Sequence, residues 1–374
     1  MTSPSAAARL APLSAAVAAA LAGALAAAGI TVAAPVAGIA DPGTGILVAL
    51  PLVRVLLGVA AAATVGLCLL PLLLGTLGTG GGQGDDGASG DGVVQSAGRV
   101  EPVLHRARRW AVVTSMAWVA TAVASLLLHT AEFQVRRDTI GLADVVSYAS
   151  TVATGKALLS VIGLTLLLCA LNVLAVRHRE RVPAEVRAGL GVFALLPLPA
   201  TGHAAGWAGR EYAVVALELH VVSAAVWLGG LAALAVLLAN DIALLATALP
   251  RFSVVATVCI ATTAVTGTIS GLTQLGTYGS SAAAISAALI STPYGALLLT
   301  KLICFGAIAL AGAKMRWRVL PAVMAQGGSE PAGPDHPQRT LTGRPAFAVW
   351  ASIELLLLGL AFGVAAVLSR AGFG

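Results

Sequence analysis

Residues 47–74 read LVALPLVRVLLGVAAAATVGLCLLPLLL, with Arg54 as their one charged side chain. The twenty residues from Val55 to Leu74 carry no charge, which is the length a helix needs to cross a hydrocarbon core of about 30 Å. No period-2 alternation runs through the stretch, which excludes a membrane β-barrel strand. In lipid every backbone N–H and C=O must bond within its own segment, so the segment is a transmembrane helix.

The rest of the chain repeats this pattern. Apolar runs at about 11–34, 47–74, 110–129, 156–176, 187–201, 212–238, 254–275, 295–314 and 346–369 predict an all-α polytopic bundle of about nine spans. Of 374 residues, 58% are hydrophobic and only 10% charged, against about 25% charged in a soluble domain. The run at 187–201 is short and holds Pro197 and Pro199, which predicts a broken helix. Arg9 and the Ala-rich run after it also have the outline of a signal peptide, whose removal would leave eight spans. Some two dozen apolar residues exceed a usual signal core, so a retained helix is the expectation.

Four regions follow: a helix pair at 1–77, a Gly-rich cytoplasmic linker at 78–104, spans three and four with their loops at 105–186, and a C-terminal transmembrane unit at 187–374. The linker sequence GTGGGQGDDGASGDG (78–92) has no preceding strand and no Lys-Ser/Thr, so it is not read as a phosphate loop.

The net charge of +6 reflects topology. Fifteen Lys and Arg fall in segments on one side, including Arg99, Arg177, Arg187, Arg251, Lys314 and Arg316, and five on the other. By the positive-inside rule the N-terminus is cytoplasmic and the C-terminus outside. No basic patch interleaved with aromatics is present, which removes nucleic acid as a partner and leaves the lipid bilayer. Cys68, Cys169, Cys259 and Cys304 stand singly in apolar runs, with no CxxC pair, and read as small core residues.

Function is carried by polar residues in the spans, since each costs about 2.5–3.5 kcal/mol at the bilayer centre. These are Arg54, His129, Glu218, His220, Lys301 and Glu354, with His203 in LPLPATGHAAGW (196–207) at an outer mouth. Arg54 and Lys301 are near enough to an end to snorkel, and Lys301 has pairing with a carboxylate as its alternative. Glu218 and His220 are two residues apart and point to different sides of a helix, whereas His220 and Trp227, seven apart, share a face. Glu354 must face the bundle interior and find a donor. His203, His220 and His129 are the candidate metal ligands, because neutral imidazole suits copper, zinc and iron. A hydrogen-bonded helix contact is the other reading of each. Glu218, Trp227, Lys301 and Glu354 are the candidate pathway residues. GxxxG patterns at Gly267–Gly271 and Gly359–Gly363 predict close helix contacts inside the bundle.

Several of these stretches together resemble the CopD family: TGHAAG (201–206), ELHVVSAAVWLGGLAAL (218–234), RFSVVA (251–256) with Thr266-Gly267, TPYGALLLTK (292–301), and the last span with Glu354. The resemblance covers about 187–370 and makes the unit at 187–374 CopD-like. It implies a non-enzymatic, multi-pass protein of a bacterial cytoplasmic membrane that takes up copper, as Cu(I) or Cu(II), for copper homeostasis or resistance. A CopC-like carrier outside the membrane would be its partner, and His203 and His220 would be copper ligands. Two alternatives remain: a b-type haem oxidoreductase, with His129 and His220 as axial ligands, and a copper-delivery assembly factor.

Overall fold

The computed structural model describes residues 6–31, 43–75, 90–134, 139–178, 182–201, 210–274, 281–327 and 343–368, and among them every regular element is helical. In chain order these are α1 (Ala6–Thr31), α2 (Thr44–Leu74), α3 (Gly90–Phe133), α4 (Leu142–Thr151), α5 (Ala153–Arg177), α6 (Ala184–Phe193), α7 (Arg210–Leu237), α8 (Ile242–Gln274), α9 (Ala282–Ser291), α10 (Pro293–Lys314), α11 (Leu320–Gly327) and α12 (Gly343–Leu368). A 3₁₀ turn lies at Leu198–Thr201, and a π-turn at Met315–Val319 joins α10 to α11. Eight of the helices are long and apolar enough to cross a membrane. α3 begins about twenty residues before its apolar run, within the stretch expected to be linker, and the chain stays helical beyond α10, through the π-turn and α11, where a loop was expected.

The helix directions follow from a few contacts. Gly58 of α2 packs on Phe362 of α12, and Gly66, about two turns later, meets Gly229 of α7. Gly229 lies beside Trp227, which bonds Glu354 of α12, so α2 runs antiparallel to α12. Along α10, Lys301 meets His220 and Gly312 approaches Glu354, so α10 and α7 run the same way. Leu297 of α10 clusters with Val364 and Val367, so both helices oppose α12. α2, α7 and α10 are therefore parallel. α5 joins this set, because Cys68 of α2 meets Asn172 and Gly191 of α6 touches both Val65 and Leu168.

Since α5 and α7 both descend, the chain between them must climb back across the bilayer. It does so without a regular span: α6 rises from Arg187, level with Asn172, to Gly191, level with Val65, and breaks ahead of the 3₁₀ turn. Pro197 and Pro199 deny that stretch backbone donors, which accounts for the break. The described residues thus contain eight long helices, with α6 and its 3₁₀ turn standing where the broken fifth of the nine expected spans was placed. The end at which α2, α5, α7 and α10 terminate carries Arg177, Arg251, Lys314 and Arg316 and is the cytoplasmic end by charge. Which carboxylates and imidazoles face each other is set by this arrangement.

α7 is the central helix: 67% of its spanning window is buried, against 28% for α1 and α5. Its path is fixed by small residues, because a Cβ on Gly66 would overlap the Gly229 carbonyl and a Cβ on Gly229 the Ala62 carbonyl. The expected GxxxG seam on α12 is also present, with Gly359 against Ala16 and Gly363 against Ala20 of α1. Both numbers rise together, so α1 and α12 lie parallel. Gly75 ends α2 in the left-handed region (φ 76°) with its N–H on Leu72 O, and Arg251 donates to Leu73 O at 3.0 Å, so the last turn of α2 is capped from two sides. Exposed Val113, Leu166, Val258 and Ile303 face outward, as lipid requires.

Candidate functional site

Two polar clusters lie one below the other along α7. In the upper one, His220, Thr266 and Lys301 each lie six residues inside the outer end of their spans, or about 9 Å at 1.5 Å per residue. His220 Nε2 is 3.3 Å from Lys301 Nζ, and Nδ1 is 3.2 Å from Thr266 Oγ1. Thr266 Oγ1 in turn donates to Thr262 O at 2.6 Å. A lysine ammonium can only donate, so Nε2 accepts and the proton sits on Nδ1, which donates to Thr266. The same tautomer follows from the other side, because the Thr266 hydroxyl has spent its proton on Thr262. Gly267 leaves room for the ring: a Cβ there would stand 3.1 Å from His220 Cε1.

The lower cluster is Trp227 and Glu354, 1% and 3% exposed. Indole Nε1 donates to Glu354 Oε1 at 2.8 Å. Trp227 is seven residues below His220, about 10 Å along the axis, so the donor demanded of Glu354 comes from the helix that carries His220. Removing it in Trp227→Phe leaves a buried carboxylate without its donor, an expected cost of about 1–3 kcal/mol. A thermal unfolding midpoint in detergent equal to that of the unaltered protein would show that the bond contributes nothing.

Below Glu354 a cavity of about 200 Å³ opens between α7, α8, α10 and α12. Leu231, Phe252 and Ile260 form apolar walls, Gly312 and Met315 line the α10 side, and Glu354 borders it from α12. Arg316 stands at the cytoplasmic side of the cavity and donates through Nη1 to Ser253 Oγ at 3.0 Å and Thr257 Oγ1 at 3.1 Å. The sequence reading left out Met315, Arg316, Ser253 and Thr257. The π-turn that begins at Met315 interrupts the helix, a feature frequent at functional sites.

The expected site residues fall into three groups. His220 with Lys301, and Trp227 with Glu354, are brought together. Lys301 neither snorkels nor meets a carboxylate: its partner is the imidazole, because α7 and α10 place the two at one depth. Glu218 is half-buried and takes part in neither cluster. His129 bonds within its own helix, Nδ1 to Glu132 Oε2 at 3.3 Å, and no bond joins it to His220 among the described residues. His203 lies outside the described residues.

A third polar group sits in the first half of the chain. Arg187, counted above with the cytoplasmic loop cations, is buried in α6 and donates to Asn172 Oδ1 at 3.4 Å, which Cys68 Sγ also approaches at 3.6 Å. Its place three residues into α6 turns a loop charge into an interior one. Among the described residues no group of three or more His, Cys, Asp or Glu could hold a metal ion. The upper cluster can instead do something simpler. It presents one fixed imidazole lone pair, held by a cation on a flexible stem.

The chain matches two protein families. Residues 246–368 match Copper resistance protein D, and residues 39–211 match the Copper resistance protein D-like, N-terminal domain. The second match extends the likeness through α2, α3, α5 and α6, beyond the half on which the sequence resemblance rested. No curated protein and no solved structure matches the chain. With both of its parts matched and its helices arranged for a bilayer, the chain is a multi-pass membrane protein and belongs to the CopD family of copper resistance proteins.

Proposed function

We propose that this protein carries copper across a bacterial cytoplasmic membrane into the cell, with capture at the outer side by His203 and His220. The observation that carries the proposal is the stacking of the two clusters on α7. His220 presents Nε2 about 9 Å below the outer end, and Glu354 awaits a cation about two turns further in, above a cavity that leads toward the cytoplasmic side. A cation that leaves water needs ligands and counter-charge along its path, and the imidazole and the carboxylate supply these in turn. Neutral imidazole suits either oxidation state of copper. Lys301 holds the lone pair that copper would take, so loading requires the ammonium to swing aside. Glu218 is assigned to the outer approach, and His129 to a secondary position on α3. A CopC-like carrier delivering copper to the outer mouth fits this scheme. Nothing in it requires bond-making chemistry, so the protein is read as a carrier and not an enzyme.

The test is the double variant His203→Ala/His220→Ala. Copper-dependent accumulation and tolerance are expected to vanish while the protein remains in the membrane at normal abundance. Unchanged cellular copper in cells expressing it would overturn the proposal.

A further inference from the structure

We propose that the cavity below Trp227 is a second cation station, where the Glu354 carboxylate and the Met315 thioether bind a soft monovalent cation of the Cu(I) class. The inference rests on the reading that copper passes through α7, α8, α10 and α12, and it adds a site on the cytoplasmic side of that path.

Five observations converge on it. Glu354 is 3% exposed, and the space it borders measures about 200 Å³. The Trp227 indole holds Oε1, and the carboxylate so held belongs to the cavity lining. Gly312 of α10 carries no side chain there, and a Cβ on it would stand 4.0 Å from Glu354 Oε1. Met315, three residues beyond Gly312, opens the π-turn that continues α10 and lies on the side that Gly312 presents to Glu354. It is 8% exposed and lines the same cavity. The π-turn starting at Met315 breaks the regular helix at this point.

The chemistry of the pair is selective. A carboxylate supplies the negative charge that offsets the lost hydration of a cation, and any cation benefits from that. A thioether adds a soft, polarizable ligand that favours Cu(I) and Ag(I) over sodium, potassium or magnesium. The hydroxyls of Ser253 and Thr257 each accept from Arg316, which takes up part of the hard-oxygen capacity of the wall. Among the described methionines, Met116, Met315 and Met324, it is Met315 that lines this cavity beside Glu354.

The experiment is equilibrium binding of Ag(I), a redox-inert stand-in for Cu(I), to the purified full-length protein in detergent. X-ray absorption at the metal edge reports sulfur ligation. The unaltered protein is expected to bind two equivalents. Met315→Leu, which conserves volume, and Glu354→Gln, which keeps an acceptor for Trp227, should each lose one equivalent. His220→Ala should keep the inner equivalent with its sulfur signal, and that signal should disappear in His220→Ala/Met315→Leu. Full binding by monodisperse Met315→Leu and Glu354→Gln proteins would overturn the inner station. If those two retain binding while His220→Ala loses it, the inner station fails alone. If His220→Ala changes nothing while Met315→Leu loses an equivalent, the outer capture reading fails and the inner station stands.

Discussion

Gly229→Leu is expected to yield no folded protein. The first atom added at this position would overlap the Ala62 carbonyl of α2, and the same contact from the other side places Gly66 against Gly229. Backbone atoms cannot turn away as a side chain would, so α2 and α7 must separate along their whole shared length. That loosens the packing around Trp227, Leu231 and Leu234, which are among the most buried side chains in the molecule. Overpacking of a core costs about 1–3 kcal/mol where side chains can adjust, and here the obstacle is main chain, so the loss exceeds about 3 kcal/mol. Gly306→Leu is the control, since nothing stands within 4 Å of a Cβ there and the site faces outward. Detergent-extracted Gly306→Leu should elute as a single sharp species, and Gly229→Leu should aggregate or be degraded. A monodisperse Gly229→Leu protein with an unchanged melting temperature would show that the helices are not in contact at this point.

Lys301→Leu is expected to bind copper at least tenfold more tightly than the unaltered protein. Lys301 Nζ stands 3.3 Å from the His220 nitrogen that would coordinate the ion. Two unit charges about 4 Å apart repel by roughly 4 kcal/mol at an effective dielectric near 20. The lysine stem can swing away and so relieve part of this. A gain of about tenfold to a hundredfold, or roughly 1.4–2.8 kcal/mol, is the expected remainder. Titration of purified protein against a coloured Cu(I) chelator measures it, with Lys301→Leu/His220→Ala expected to lose the gain. Tighter capture also slows release, so copper accumulation by cells carrying Lys301→Leu should fall even as binding improves. Equal affinity in Lys301→Leu and the unaltered protein would show that the ammonium does not compete for the imidazole.

Much of the architecture was legible in the sequence because lipid imposes a length and a polarity on each span. The twenty uncharged residues ending at Leu74 could be nothing but a crossing, and the prolines at 197 and 199 announced the broken one. The glycines of α12 announced the seam with α1. What lay hidden were pairings between distant segments. Glu354 declared a need for a donor, but that the donor would be Trp227 depends on the register of α12 against α7, and no local pattern encodes it. Lys301 was expected to snorkel or to pair with a carboxylate, and it meets an imidazole because α10 descends parallel to α7 at equal depth. Arg187 carried the composition of a loop cation, and only the start of α6 at Ala184 turned it inward. Met315 was left out of the candidate site for a related reason: a single methionine beside Arg316 and Arg318 reads as a loop, whereas the helix runs on through a π-turn and lines a cavity.

The seam between α1 and α12 sets a timetable for assembly. Ala16 and Ala20 find their glycine partners more than three hundred residues later in the chain. At about 5–20 residues per second, α1 waits on the order of tens of seconds beside the insertion machinery with its small-residue face uncovered. α12 thus completes the contact that α1 offered much earlier, and this seam cannot close before Gly363 has been made.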